Sequence, residues 1–182
     1  MIITKIISGG QTGVDRAALD VAIELKISHG GWCPKGRRAE LNTTIPSKYH
    51  LKETESEKFE ERTKLNIKDS DGTLALVPKT PIKITDGTIL TIEEAKLKNK
   101  PLLIINLSKK PPVEIILKWI GENNIKTLNI AGPRESQSTG IYDISFKFLY
   151  ETIKKINNDL QIKNGCVFYK TKPISGGKFG GN

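Results

Sequence analysis

The chain opens on an apolar, β-branched run, Ile2–Ile7, that stops at Ser8-Gly9-Gly10. So short a run, with little alternation, suits a strand buried on both faces of a parallel sheet. From Val14 to Leu25 the period changes. Val14, Ala18, Ala22 and Leu25 fall at helical spacing, Leu19 and Ile23 widen the stripe, and no Gly or Pro interrupts it. Strand, glycine turn and helix therefore follow in quick succession. Further along, His29–Lys35 reads as a brief strand around Trp32 and Cys33, and Gly36–Leu51 as a long basic loop. Glu53–Ile67 reads as a helix with Phe59, Thr63 and Ile67 on one face. After the turn Asp71-Gly72 comes a buried strand, Thr73–Val77, and then a loop, Pro78–Thr88. Thr91–Asn99 reads as a helix, with Thr91 as N-cap and Glu94 as its capping-box partner. Pro101–Leu107 is a strand, and Pro111 and Pro112 mark the start of a helix running to Glu122. Thr127–Ala131 is a strand ending in Gly132-Pro133, and Gly140–Asn158 is a long final helix.

Strands alternating with helices imply βαβ units, right-handed crossovers and a mostly parallel sheet. The expected fold is α/β, a Rossmann-like three-layer sandwich with a sheet of about five strands over residues 1–160. Residues 161–182 read as a tail, with an edge strand at Gly165–Lys170 and a mobile Gly-rich end. A chain of 182 residues suits one domain with one core.

Ligands of open parallel sheets bind outside the carboxyl ends of the strands. Three such ends carry polar, Gly- or Pro-containing loops: Gly9-Gly10-Gln11-Thr12-Gly13, Pro78–Thr88 with Gly87 and Thr88, and Gly132-Pro133-Arg134-Glu135-Ser136. The first leads into a helix whose unpaired N–H groups suit a phosphate. Thr12 adds a hydroxyl and Arg16 a charge. Because no Gly-Lys-Ser/Thr follows, a P-loop NTPase is disfavoured. Arg62, Thr63, Asn66, Asp69, Ser70, Asp71 and Thr73 form a second polar group, with Gly72 among them and with Arg62 and Asn66 on one helix face. Lys35, Gly36, Arg37 and Arg38 put three cations on one loop, suited to a second anionic group. Asp15, Glu40, Asp71 and Glu135 are carboxylates near the expected site, and the sequence selects none of them as a general base. No catalytic triad is visible, so catalytic residues stay unassigned.

The remaining composition narrows the class. The net charge of +9 is mostly Lys spread over helix surfaces, without a dense Arg/Lys block and interleaved aromatics, which disfavours nucleic acid as a partner. No apolar run approaches the ~20 residues that span a bilayer, and the N-terminus lacks a signal-peptide pattern, so a cytoplasmic location is expected. Cys33 and Cys166 form no CxxC and read as free thiols; His29 and His50 are isolated, and no protein-ligated metal is expected.

Taken together, the segments Ile7–Asp20, Gly31–Glu40, Arg62-Thr63 with Asn66, Asp69–Thr73 and Ala131–Ser136 resemble the putative molybdenum carrier family. The resemblance runs from about Ile3 to about Tyr150. It implies a Rossmann-like fold related to nucleotide-sensing proteins and to lysine-decarboxylase-like phosphoribohydrolases. It also implies a homo-oligomer, dimer or tetramer, that binds a phosphorylated pterin, the molybdenum cofactor, for storage or transfer to a molybdoenzyme acceptor without turnover. A nucleotide sensor and a nucleotide hydrolase are the alternatives. The chain departs from the family pattern twice. Glu40-Leu41-Asn42-Thr43-Thr44 stands before Ile45-Pro46 where Glu-Asp-Gly is usual, and Asp86-Gly87-Thr88 stands where Gly-Gly-Thr is usual.

Overall fold

A computed structural model describes residues 3–78, 86–109 and 111–159. In chain order the elements are β1 (Lys5–Ile7), α1 (Val14–Glu24), β2 (Ser28–Gly30), β3 (Trp32–Cys33), β4 (Lys52–Glu53), α2 (Phe59–Lys68) and β5 (Gly72–Val77). They continue with α3 (Asp86–Leu97), β6 (Leu102–Asn106), α4 (Val113–Glu122), β7 (Thr127–Ala131) and α5 (Ile141–Asp159). Five strands form one sheet in the order β2-β1-β7-β5-β6, all parallel, and β3 pairs with β4 in a second, two-stranded sheet. The α/β arrangement expected from the alternation is thus present.

One face of the sheet carries the main core. Ile6, Leu74, Leu76, Ile105, Leu128 and Ile130 pack there against Val14, Ala18 and Ala22 of α1, Ile116 and Ile120 of α4, and Ile141, Leu149 and Ile153 of α5. Each Val, Leu or Ile among them contributes about 1.5–3 kcal/mol of burial. Alternate residues of the same strands point the other way, toward α2 and α3. That face is polar at its centre: Thr73 and Asn129 lie in register, and Asn129 Nδ2 donates to Thr73 Oγ1 at 3.1 Å. A second cluster, Leu19, Cys33, Ala39, Ile45, Tyr49 and Leu51, pins the long basic loop onto α1.

Several boundaries differ from the sequence reading. The helix expected from Glu53 starts at Phe59, because Lys52 and Thr54 donate their N–H groups to the carbonyls of Gly31 and Cys33 and extend the chain there. The second strand of the main sheet is Ser28–Gly30, while Trp32-Cys33 joins the small sheet. Thr91 is not an N-cap. It lies inside α3 and its hydroxyl donates back to Gly87 O at 2.9 Å, while Glu94 pairs with Lys98. Asp86, Gly87 and Thr88 accordingly form the first turn of a helix and not the end of a loop. Lys26, Asn99 and Asn124 end α1, α3 and α4 in the left-handed region, the usual helix stop. Residues 79–85, the tail from Gln161 with its expected edge strand, and Cys166 lie outside the described residues.

Candidate functional site

The strand order makes β1, β7 and β5 neighbours at the centre of the sheet. Their following loops therefore converge, and two of them lie within the described residues: Ser8–Gly13 and Gly132–Ser136. The glycines of the first loop are required by close approach. A Cβ on Gly9 would sit 1.6 Å from Arg62 Nη1, and one on Gly13, whose φ is +72°, would sit 2.5 Å from Pro133 O. The loop is thus covered, by Arg62 on one side and by the β7 loop on the other. Part of the α1 N-terminus is also spoken for, since Val14 N–H donates to Pro133 O and Arg16 N–H to Gln11 O.

Arg62 is the centre of the site. It rises from α2 and reaches across Gly9 to Asp15 on α1, Nη1 to Oδ2 at 3.2 Å, with both side chains nearly buried (12% and 4% exposed). Asp15 Oδ2 also accepts the N–H of Gln11 at 3.2 Å. Burial pushes the Asp15 carboxyl above its ordinary range, against the opposing pull of the Arg62 charge and that N–H. Beside the pair is a shallow, solvent-open crevice lined by Gly9, Arg62, Thr63, Asn66, Thr91, Asn129, Ile130 and Ala131. Its walls are two helices on the polar face of the sheet and the ends of β1 and β7. Among the described residues, Arg62 Nε, Arg16 Nη2, Thr88 Oγ1 and, on α5, Ser145 Oγ are buried without a hydrogen-bond partner, and of these Arg62 lines the crevice. Buried polar atoms of this kind call for a missing partner.

A second cation flanks the first. Arg134, from the β7 loop, lies over the Phe59 ring with its guanidinium carbon 4.6 Å from the centroid. Its charge acts on both Asp15 and Glu40. Glu40 bridges the two loops: its carboxylate accepts the hydroxyls of Thr12 and Ser136, and the N–H of Ser136 at 3.4 Å. Burial would raise the Glu40 carboxyl, but the donors from Ser136 and Thr12 outweigh it and hold the group below its ordinary range. Gln11 fastens the same segment, donating to Arg38 O at 2.9 Å and accepting Glu40 N–H at 3.1 Å.

The other residues singled out from the sequence are dispersed. Ser70 and Asp71 precede β5 and Gly72 opens it, so all three lie at the amino edge of the sheet, away from the crevice. Asp71 Oδ2 accepts the N–H groups of Lys126 and Thr127 and ties the starts of β5 and β7, and Ser70 Oγ closes the end of α2 on Ile67 O. Thr73 faces the polar layer through Asn129. Asn66 lines the crevice, but its amide is taken up by the backbone of Trp32, accepting its N–H at 2.7 Å and donating to its carbonyl at 3.0 Å. Arg16 turns back to Gly10 O. Glu135 caps α5, its carboxylate accepting the N–H groups of Gly140 and Tyr142. Lys35 and Gly36 are exposed. The cationic loop is not a simple anion clamp, because Arg37 donates to the carbonyls of Ile45, Pro46, Tyr49 and Leu51, and Arg38 pairs with Glu57. Gly87 is exposed on α3, and Thr88 is buried one residue on. Thr63, a member of the polar group read from the sequence, lines the crevice, as do Asn129 and Thr91, which were not assigned to a site from the sequence. A polar residue inside the apolar strand Thr127–Ala131 was the signal for Asn129.

Comparison with known proteins adds the following. Residues 6–153 match the profile of the circularly permutated YpsA SLOG family. The chain is similar to the crystal structure of a Putative molybdenum carrier protein from Syntrophus aciditrophicus SB, with a TM-score of 0.74 and 42% identity, over 81% of this chain and 93% of that one. No curated protein matches the chain. Among the described residues no helix is long and apolar enough to cross a membrane.

Proposed function

The chain belongs to the circularly permutated YpsA SLOG family, and from that premise we propose that it is a carrier for the molybdenum cofactor, a phosphorylated pterin held at the carboxyl ends of β1 and β7. The observation that carries the reading is Arg62: a guanidinium nearly removed from water, facing a crevice, with Nε lacking a partner. Asp15 neutralises its charge without satisfying all its donors. A phosphate group supplies the acceptors that remain, and a buried guanidinium binds phosphate in a geometry that lysine cannot reproduce. Arg134 adds a second positive charge, Thr12 and Ser136 add hydroxyl donors, and the missing Cβ of Gly9 is what lets the Arg62 guanidinium lie against the β1 loop. The cargo brings a planar ring and a phosphate, and the protein's part is to hold both and exclude water. No residue here is required to transfer a proton, so the cargo leaves unchanged. The relative with 42% identity bears the name of a molybdenum carrier, which supports the choice of cargo. A molybdoenzyme acceptor and a homo-oligomeric state belong to the same proposal.

Thermal unfolding in the presence of phosphate, molybdate, purine mononucleotides, a phosphorylated pterin and the cofactor itself tests it. A ligand at ~100 times its dissociation constant stabilises the fold by about 2.7 kcal/mol, or roughly 5–10 °C in Tm. The pterin phosphate and the cofactor are expected to give that shift. A shift with mononucleotides alone would replace the carrier with a nucleotide sensor.

A further inference from the structure

Glu40 sits where an anion from outside the chain would be expected. Its carboxylate accepts from the Thr12 hydroxyl, the Ser136 hydroxyl and the Ser136 N–H. These donors come from the loops after β1 and β7, the two strand ends at which a phosphate is proposed to bind. We propose that Glu40 is an internal competitor for the ligand: its carboxylate and the ligand's phosphate engage the same donors of Thr12 and Ser136, so binding expels the Glu40 side chain. The proposal rests on the phosphate reading of the site given above.

The turn that carries Glu40 is built to give way. An antiparallel bridge between Arg38 and Thr44 closes it, and Ala39 N–H donates to Thr43 O at 2.8 Å across its base. Between them Leu41 and Asn42 have φ of +55° and +54°, a left-handed conformation that asparagine tolerates and leucine adopts rarely, so the strain falls on Leu41. Leu41 is 81% exposed, so its apolar side chain gains nothing from the fold. What holds the tip of the turn against the body is mainly the Glu40 carboxylate. Its backbone, in contrast, is anchored by Gln11 and by the buried Ala39. The side chain can therefore leave while the base of the turn stays in place. The arrangement favours a dianion over a monoanion, because a group that displaces a carboxylate from three donors must offer more charge than the carboxylate does.

Binding of inorganic phosphate at pH 7.5 to the wild type, Glu40→Gln and Glu40→Ala measures the competition. Displacing a charge-assisted hydrogen-bonded group predicts that Glu40→Ala binds phosphate roughly ten- to a hundredfold more tightly than the wild type, with Glu40→Gln between them. In the wild type labelled with carboxyl-13C glutamate, saturation with phosphate is expected to move the Glu40 signal toward that of a solvated glutamate, a readout that needs no variant. Equal affinity in all three proteins, or a Glu40 signal unmoved at saturation, would overturn the competition and leave the phosphate site standing. Absence of phosphate binding in all three would remove the phosphate reading and the competition with it.

Discussion

Replacing Arg62 with methionine tests whether the centre of the site is a coupled buried pair. Methionine keeps most of the apolar stem and removes the charge. In the native chain Arg62 and Asp15 are 12% and 4% exposed, so solvent screens them little. Removing one partner of such a pair typically costs about 3–5 kcal/mol, because the other charge is left buried. Asp15 keeps the N–H of Gln11, which points to the lower end, about 3 kcal/mol. The cost must depend on pH. Burial already raises the Asp15 carboxyl above its unfolded value, and Arg62 is the largest opposing influence. Without Arg62 the folded-state value rises further. A group raised in the folded state supports folding when protonated; that support is present below its unfolded pKa of about 3.9 and is lost as pH rises through the folded value. The variant should therefore lie close to the wild type in acid and show its full deficit near neutrality. Urea unfolding at pH 5 and pH 7.5, on the wild type, Arg62→Met, Asp15→Asn and the double variant, reads this directly. The double variant should recover about 2 kcal/mol of the deficit at pH 7.5. A deficit below about 1 kcal/mol at neutral pH, one that ignores pH, or strict additivity of the two changes would refute the reasoning.

Two further outcomes follow from the same geometry. Gly9→Ala places a Cβ 1.6 Å from Arg62 Nη1 and 2.9 Å from Asp15 Oδ2, so the guanidinium must leave its partner; the expected loss is about 2–3 kcal/mol in the wild type and close to zero in the Arg62→Met background, and equal losses in both would show that the clash is absorbed elsewhere. The Tyr142 hydroxyl donates to Asp20 Oδ2 at 2.8 Å, and burial followed by that carboxylate pushes its phenol up to about 12. The bond needs the protonated phenol, so its stabilisation is complete below about pH 10 and is lost as pH rises through about 12. Alkaline spectrophotometric titration should show a late-titrating phenol that moves down in Asp20→Asn, and an unmoved titration would reject the assignment.

Much of the fold was legible because the hydrophobic period reports burial directly. The run Leu74–Val77 and the stripe of Val14, Ala18 and Ala22 each point to one place in the sandwich, and the structure puts them there. The errors fell where backbone pairing overrode pattern. Glu53 looks like the start of a charged helix, but the carbonyls of Gly31 and Cys33 offered the segment around it a strand partner from far along the chain. Thr91 and Glu94 match a capping box, but the helix begins earlier, at Asp86.

Neighbours along the chain were enough to show that it alternates strand and helix, that a glycine loop joins the first strand to the first helix, and that one arginine, Arg16, follows that loop. Which polar residues meet was settled by the packing of remote segments. It put Asp71 at the amino edge of the sheet, turned Arg37 inward onto four carbonyls, brought Arg62 over Gly9, and set Glu40 against Thr12 and Ser136. A polar side chain carries no periodic signal. Its role is fixed by whichever donor or acceptor the fold places within about 3 Å of it, and in a parallel sheet that partner is supplied by another crossover.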